Sequence, residues 1–177
     1  MLALLLCLPF LGALAVLLFG REDRLCWSIS VVFTGLALAL LGWLKIQGSE
    51  EQLISYSVEW MPRIGLNFSL WLDGPALFWA WLVLGIGILV LFYAGFYMKP
   101  GDSPRKFYSS MMAFMGAMLG LVISRNVLLM FVFWEMTSLT SFLLIGHWSH
   151  KPTAVAGARR ALLLTAAGGL CLMAGIG

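Results

Sequence analysis

Glu135 is the residue of this sequence whose type and position point most directly to chemistry. It is the tenth residue of an apolar stretch, residues 126–148, with the sequence NVLLMFVFWEMTSLTSFLLIGHW. A helix of this length spans about 34 Å, which is enough to cross a bilayer, and places Glu135 near the middle of the hydrocarbon. An ionised carboxylate at that depth is costly, so such residues face a bundle interior and mark ion or proton paths. We therefore predict that Glu135 carries a proton or a cation.

A structural role for Glu135 is the alternative, in which its carboxyl group hydrogen-bonds to a neighbouring helix and never ionises. None of the apolar spans contains a basic residue that could be its partner. Helical spacing brings Phe131 and Ser138 to the same face as Glu135, with Ser141 further round that side. The two hydroxyl groups could line a hydrated path or bond back to the helix backbone, and the sequence leaves both interpretations open.

Two further residues could connect this site with one membrane surface. His147 lies at the end of the span beside His150, and histidine titrates near neutrality, although interfacial histidines are commonly only solvated. Arg160 follows Arg159 at the entrance of the next apolar segment. The pair is expected to anchor that helix at the interface, and in a second interpretation Arg160 forms part of a polar access route. The candidate pathway residues are thus Ser138, Ser141, His147 and Arg160.

The composition places these residues in an integral membrane protein. Of 177 residues, 62% are hydrophobic and only 11% are charged, and a soluble domain of this size could not bury so much apolar surface. The net charge of +3 does not indicate nucleic-acid binding, because the basic residues lie in short loops rather than in a stripe. Cys7, Cys26 and Cys171 are far apart and form no Cys/His cluster, so we expect neither a metal nor a cofactor.

Six apolar spans are predicted to cross the bilayer as helices. The first has a signal peptide as its rival interpretation, but no basic residue precedes it, so a helix is preferred. Asp73, followed by Gly74 and Pro75, is predicted to be the N-cap of the third helix. The spans cover residues 1–20, 25–44, 73–98, 107–124, 126–148 and 161–177.

The interval between the second and third spans has the pattern of a β-hairpin. Apolar side chains occupy alternate positions on both sides of the turn Met61–Gly65, namely Ile54, Tyr56, Val58 and Trp60 before it and Leu66, Phe68 and Leu70 after it. This period of two around a Pro/Gly turn predicts a short hairpin on the membrane surface. The predicted fold is therefore all-α integral membrane, with about six transmembrane helices and this hairpin between the second and third.

The distribution of basic residues predicts the orientation. An extracytoplasmic N-terminus leaves three basic residues in outer loops and eight in inner loops, which satisfies the positive-inside rule. The outer residues are Lys45, Arg63 and Arg125, and the inner ones are Arg21, Arg24, Lys99, Arg105, Lys106, Lys151, Arg159 and Arg160. We expect a multi-pass protein of the cell (inner) membrane, with the hairpin also outside.

The stretch FVFWEMTSLTSFLLIGHW, residues 131–148, resembles the fifth-helix motif of the antiporter-like membrane subunits shared by Mrp-type Na+/H+ antiporters and respiratory complex I. Three other stretches are similar to the same family: GLNFSLWLDG at 65–74, FMGAMLGLVISRNVLLM at 114–130 and ARRALLLTAAGGLCLMAG at 158–175. The patterns WE-TS---SFLLIG-W and FMGAMLG look most similar to the N-terminal part of the large subunit, named A, of the Mrp-type antiporters.

The resemblance implies specific roles. Glu135 would be the essential mid-membrane carboxylate of a half-channel, working with a lysine on a later helix, and Arg160 would match the basic residue that opens the sixth helix. The implied architecture is an inverted repeat, in which residues 65–177 would begin the proton-translocating domain. Residues 1–64 would form a preceding unit of two helices and the extracytoplasmic hairpin. Because the family has more than six helices, we expect this sequence to be a portion of a longer subunit.

Three functional hypotheses follow. In the first, the chain belongs to a multisubunit cation/proton antiporter that exchanges Na+ or K+ for H+, with other membrane subunits and the lipid bilayer as its partners. In the second, it is a proton-pumping subunit of an NADH:quinone oxidoreductase or membrane hydrogenase, and itself binds no flavin or iron–sulfur cluster because it has no suitable cysteines. In the third, it is a truncated product that folds in the bilayer but moves nothing.

Overall fold

The computed structural model describes residues 1–47, 54–61, 65–98 and 102–176. Within these ranges the chain forms six helices and one two-stranded antiparallel sheet. In chain order they are α1 (Leu2–Phe19), α2 (Asp23–Gln47), β1 (Ile54–Met61), β2 (Leu66–Leu72), α3 (Gly74–Tyr97), α4 (Pro104–Ile123), α5 (Val127–Ile145) and α6 (Pro152–Ile176). All six helices are long and apolar enough to cross a membrane. The predicted membrane fold, with a hairpin between the second and third helices, is confirmed.

Helix α4 lies at the centre of the bundle and contacts α1, α2, α3 and α5. Its small residues allow these close approaches: Gly116 packs against the ring of Phe10 in α1, and Gly120 packs against the ring of Phe133 in α5. In a membrane, helix association depends on such packing because lipid supplies no hydrophobic driving force between helices. Helix α6, by contrast, packs mainly against α5 within the described residues.

The hairpin has its inner strand, β2, against the ends of the helices. Leu70 of β2 is 1% exposed, whereas its cross-strand partner Tyr56 in β1 is 41% exposed. The register runs from the pair Ile54 and Leu72 to the pair Met61 and Leu66, with an irregularity near Glu59. Gly65 has a φ of +73°, which glycine adopts without strain. The remainder of the predicted turn, residues 62–64, lies outside the described residues.

Four predicted helix ends differ from the structure by three residues or more. Helix α2 extends to Gln47 instead of residue 44, and α4 begins at Pro104 instead of residue 107. Helix α5 ends at Ile145 rather than at Trp148. Gly146 is its C-cap, and the next N–H, that of His147, bonds to the carbonyl oxygen of Leu144 at 3.2 Å, three residues back instead of four. Helix α6 begins at Pro152 rather than at residue 161, and proline suits a first helical turn, where its missing N–H leaves no bond unmade. Consequently Arg160 is the ninth residue of α6 and does not lie at the entrance of that helix, as was predicted.

The predicted N-cap of α3 is confirmed. Asp73 has an extended backbone, and its Oδ1 accepts a hydrogen bond from the N–H of Ala76 at 2.8 Å. Pro75 occupies the first turn, as expected. The cap satisfies one of the N–H groups that a helix start otherwise leaves without a partner. It thereby fixes the point at which β2 passes into α3.

We predict that Asp73→Ala lowers the free energy of unfolding by about 0.5–2 kcal/mol, the usual cost of losing an N-cap acceptor. Asp73→Asn keeps an acceptor oxygen at the same position and should leave stability nearly unchanged. Thermal unfolding of both variants in detergent micelles, followed by circular dichroism, measures the difference. An equal loss in both variants would show that the charge of Asp73 matters and its capping does not.

Candidate functional site

Helix α5 places Glu135 almost at its midpoint. Glu135 is the ninth of its 19 residues, so about 12 Å of helix precede it. The helix starts at a defined residue because Asn126 is its N-cap: Asn126 Oδ1 accepts a hydrogen bond from the N–H of Leu129 at 3.1 Å. The shorter helix found in the structure therefore keeps the carboxyl group central, as the sequence predicted.

The start of α5 is attached to the hairpin by three contacts. Asn126 Nδ2 donates a hydrogen bond to the carbonyl oxygen of Gly65 at 2.7 Å, and the backbone N–H of Arg125 donates to the carbonyl oxygen of Ser69 at 2.9 Å. The guanidinium carbon of Arg125 lies 3.7 Å from the centre of the Trp71 ring, which is cation–π geometry. These contacts fix the position of α5, and with it the depth of Glu135.

The carboxyl group of Glu135 lies against the backbone of α6 at Gly169. Its Oε1 atom is buried and has no hydrogen-bond partner among the described residues. A Cβ atom added at Gly169 would collide with this oxygen and would lie 3.3 Å from ring carbons of Phe131 and Trp134. The missing side chain of Gly169 thus makes the space that the carboxyl group occupies.

The Oε1 atom of Glu135 has no donor among the described residues in the position observed. Burying an unpaired charge is far more costly than burying a neutral polar group, and no described residue donates a hydrogen bond to Glu135 Oε1. A protonated carboxyl group can remain packed against Gly169, whereas a carboxylate needs water, a cation or a donor. Within the described ranges no group of three His, Cys, Asp or Glu residues could hold a metal ion.

The predicted pathway serines follow Glu135 along α5 with their hydroxyl groups bonded to the helix backbone. Ser138 Oγ donates to the carbonyl oxygen of Trp134 at 3.2 Å, and Ser141 Oγ donates to that of Ser138 at 3.1 Å. Such back-bonding satisfies a hydroxyl group inside a membrane helix without a partner from elsewhere. Ser138 is buried and Ser141 is partly buried. Their part in a hydrated path stays a prediction.

His147 lies beyond the end of α5 and connects it with the segment before α4. Its Nε2 donates to the backbone carbonyl oxygen of Asp102 at 2.6 Å, and its ring packs edge-on against Phe107 and Trp148. The Trp148 indole N–H donates to Asp102 Oδ1 at 3.4 Å. The structure thus gives His147 a structural contact at the membrane end and does not bring it to Glu135.

Arg160 also lies away from Glu135. Its side chain is exposed, and it is the ninth residue of α6. Gly169 follows nine residues later, which corresponds to about 13 Å along the axis and to the opposite side of the helix. In the part of the chain that the structure describes, Arg160 therefore points away from the face that packs on α5. Its role in proton access stays a prediction.

Sequence reasoning missed two residues of this site. The role of Asn126 as an N-cap could have been predicted, since asparagine directly before an apolar run is a common N-cap. Its hydrogen bond to the hairpin could not, because no local sequence pattern indicates it. Gly169 follows Gly168 in the sixth span, and nothing in the sequence tells which of the two faces Glu135. Only the packing of α6 on α5 decides this.

Two family models match parts of this chain. One, described as NADH:quinone oxidoreductase/Mrp antiporter, TM, matches residues 124–177. The other, described as NADH-Ubiquinone oxidoreductase (complex I), chain 5 N-terminus, matches residues 60–108. The first match contains Glu135 and Gly169, and the second contains β2 and α3.

Two curated relatives are similar along nearly the whole chain. The A/B subunit of a probable K(+)/H(+) antiporter of Rhizobium meliloti is 40% identical over 99% of this chain and 18% of its own length. The A-type subunit of the Na(+)/H(+) antiporter of Alkalihalophilus pseudofirmus is 38% identical over 94% of this chain and 21% of its own length. The chain therefore spans about a fifth of the length of the curated relatives that it matches.

Two solved structures have similar folds. A chain in the structure of the Mrp complex from Dietzia sp. DQ12-45-1b has a TM-score of 0.85 and 35% identity, over 98% of this chain and 18% of that one. A chain of the membrane-bound sulfane sulfur reductase, an archaeal respiratory membrane complex, has a TM-score of 0.82 over 98% of this chain and 26% of its own. Its 18% identity shows the fold alone.

We predict that Gly169→Ala displaces the Glu135 carboxyl group, because the new methyl group would occupy its position. A hydrophobic carbodiimide should then modify Glu135 faster, and mass spectrometry of the peptide that contains it measures the rate. Gly168→Ala is the matched control, since a Cβ atom there meets nothing within 4 Å. Equal labelling rates in the two variants would contradict the contact between Glu135 and Gly169.

Proposed function

This chain belongs to the family of antiporter-like membrane subunits shared by Mrp antiporters and NADH:quinone oxidoreductase, and on that premise we propose that it serves cation/proton antiport. It would act as part of a multisubunit cation/proton antiporter that exchanges Na+ or K+ for H+ across the cell (inner) membrane. Both cations occur in the names of relatives. We propose Glu135 as the proton carrier of this exchange.

The observation that carries the proposal is the buried Oε1 atom of Glu135, which lies at mid-helix without a hydrogen-bond partner among the described residues. A carrier must be tolerated in two charge states, each in different surroundings. Packing against Gly169 tolerates the neutral state, and the charged state requires a partner or water. Proton release at Glu135 is therefore coupled to the arrival of a compensating group, which is the physical requirement for exchange.

The proposal divides the chain between residues 64 and 65. We propose that residues 65–177 contribute the beginning of the proton-translocating domain, which includes both α5 and α6. Residues 1–64 supply two helices and the outer strand of the hairpin. An extracytoplasmic N-terminus would place the hairpin, which holds the start of α5, on the outer surface. Other membrane subunits would complete the path.

A proton-pumping component of an NADH:quinone oxidoreductase is the second candidate, because both family models carry that description. Antiport is favoured since the relatives at 37–40% identity are named as antiporter subunits. Purification from native membranes separates the two. Co-purification with small antiporter subunits supports the first function, and co-purification with flavin-containing or iron–sulfur subunits supports the second.

We predict that Glu135→Gln abolishes antiport, because the amide cannot release a proton but keeps the size of the side chain. The assay adds Na+ or K+ to everted membrane vesicles that contain all partner subunits and follows the collapse of the pH gradient with a fluorescent dye. We expect the rate to fall at least about tenfold, or about 1.4 kcal/mol in the barrier.

Two controls accompany this experiment. Glu135→Asp keeps the acid and should retain part of the activity, and Glu22→Gln removes an exposed acid of the loop before α2 and should retain all of it. Immunoblotting normalises each rate to the amount of protein. Full exchange by Glu135→Gln would overturn the proposed carrier, and no exchange by the unmodified protein with all its partner subunits would support a chain that moves nothing.

A further inference from the structure

A cavity of about 490 Å³ opens at the end of the bundle where α2 and α4 begin and α3 ends. Its walls come from all three helices and include Asp23, Arg24 and Trp27 of α2, Phe96 of α3 and Tyr108 of α4. The volume is within the range of small-molecule sites. No residue of the Glu135 site lines this cavity, so neither the carrier nor its pathway explains it.

The apolar wall of the cavity is held in place by packing. The indole of Trp27 lies against the backbone of Gly95, where an added Cβ atom would come within 2.7 Å of the ring nitrogen. The same indole packs edge-on against Phe92, with 5.8 Å between ring centres. Phe96 is 89% exposed and extends this apolar wall towards the surroundings of the bundle.

The rim of the cavity has both signs of charge. Asp23 and Arg24 are adjacent, exposed and opposite in charge, and within the described ranges neither side chain forms a salt bridge. Helices α2 and α4 both begin here, so the positive ends of two helix dipoles are added to the guanidinium group of Arg24. The rim can therefore bind an anionic group and, beside it, a cationic one.

Tyr108 supplies a polar group at the same cavity. The residue is 1% exposed and lines the cavity, and its hydroxyl group has no hydrogen bond to another residue in the described ranges. The hydroxyl oxygen is not among the fully buried polar atoms that lack a partner, so it remains accessible. It can therefore donate a hydrogen bond to a ligand in the cavity.

We propose that this cavity binds the headgroup of a membrane phospholipid that carries both a phosphate and a primary ammonium group, as ethanolamine phospholipids do. The phosphate would bind Arg24 and the Tyr108 hydroxyl group, and the ammonium group would lie against Asp23. The glycerol and the upper acyl chains would cover Trp27 and Phe96. Choline lipids have a cation but no N–H donor for Asp23, and glycerol lipids have no cation, so neither can pair with Arg24 and also donate a charge-assisted hydrogen bond to Asp23.

The depth of the cavity below the helix starts agrees with a phospholipid headgroup as its ligand. Trp27 and Tyr108 each lie four residues into their helices, about 6 Å below the helix starts. That depth corresponds to the boundary between headgroups and acyl chains, where Trp and Tyr are enriched. The proposal does not depend on proton transport by Glu135.

The test counts lipids that remain bound to the protein after purification with its native subunits. The protein is reconstituted in nanodiscs with equal parts of ethanolamine, glycerol and choline phospholipids, washed with mild detergent and analysed by native mass spectrometry. We expect retained ethanolamine lipid. Arg24→Gln should reduce the retained ethanolamine lipid by at least about tenfold, because a charge-assisted hydrogen bond is lost. Tyr108→Phe should reduce it severalfold, because a neutral hydrogen bond is lost. Both substitutions keep the bulk of the side chain.

Two variants and one competitor make the result specific. Asp23→Asn should shift retention from ethanolamine to glycerol lipids, because the negative charge that selects the ammonium group is gone. Arg21→Gln changes an exposed arginine of the same loop that does not line the cavity and should change nothing. Any of four results would overturn the proposal. The protein could retain all three lipids equally, or Arg21→Gln could lower lipid retention as much as Arg24→Gln does. Inorganic phosphate alone could displace the lipid, or a polypeptide could occupy the cavity.

Discussion

Hydrocarbon offers no hydrogen-bond partner to a backbone amide or to a buried side chain, and the structure of this chain depends on that constraint. The membrane-spanning segments satisfy their backbone groups within helices, and the strand pairing of the described residues lies at the helix ends. There β2 finds partners on both sides, in β1 and in the turn between α4 and α5. Against this background, the carboxyl oxygen of Glu135, unpartnered among the described residues, is an exception in the middle of a helix.

Glycine has two different uses in this bundle. Gly116 and Gly120 let aromatic rings of α1 and α5 reach the backbone of α4, which packs the central helix closely. Gly169 instead accommodates a polar group, because the carboxyl group of Glu135 lies where its side chain would be. The first use stabilises the bundle, whereas the second gives an ionisable group room at the interface between α5 and α6.

Elements with a strong local pattern could be predicted from the sequence. The alternation around residues 61–65 indicated the hairpin, and Asp73 before Gly74 and Pro75 indicated a helix start, because both signals depend on neighbouring residues. The end of α5 and the start of α6 were misplaced since residues 146–160 mix apolar, polar and basic residues without a clear period. The contact between Glu135 and Gly169 could not be predicted, because it depends on how one helix is rotated against another.

Asn126 shows how two separate contacts can restrict one position to one amino acid. Its side-chain oxygen begins α5, and its side-chain nitrogen binds the hairpin. Aspartate can replace the oxygen but has no N–H to donate, and glutamine has both groups on a chain one carbon too long for the cap. Either substitution would therefore uncouple the hairpin from α5 or weaken the helix start. The amino acids that most resemble asparagine are thus expected to be poorly tolerated at residue 126.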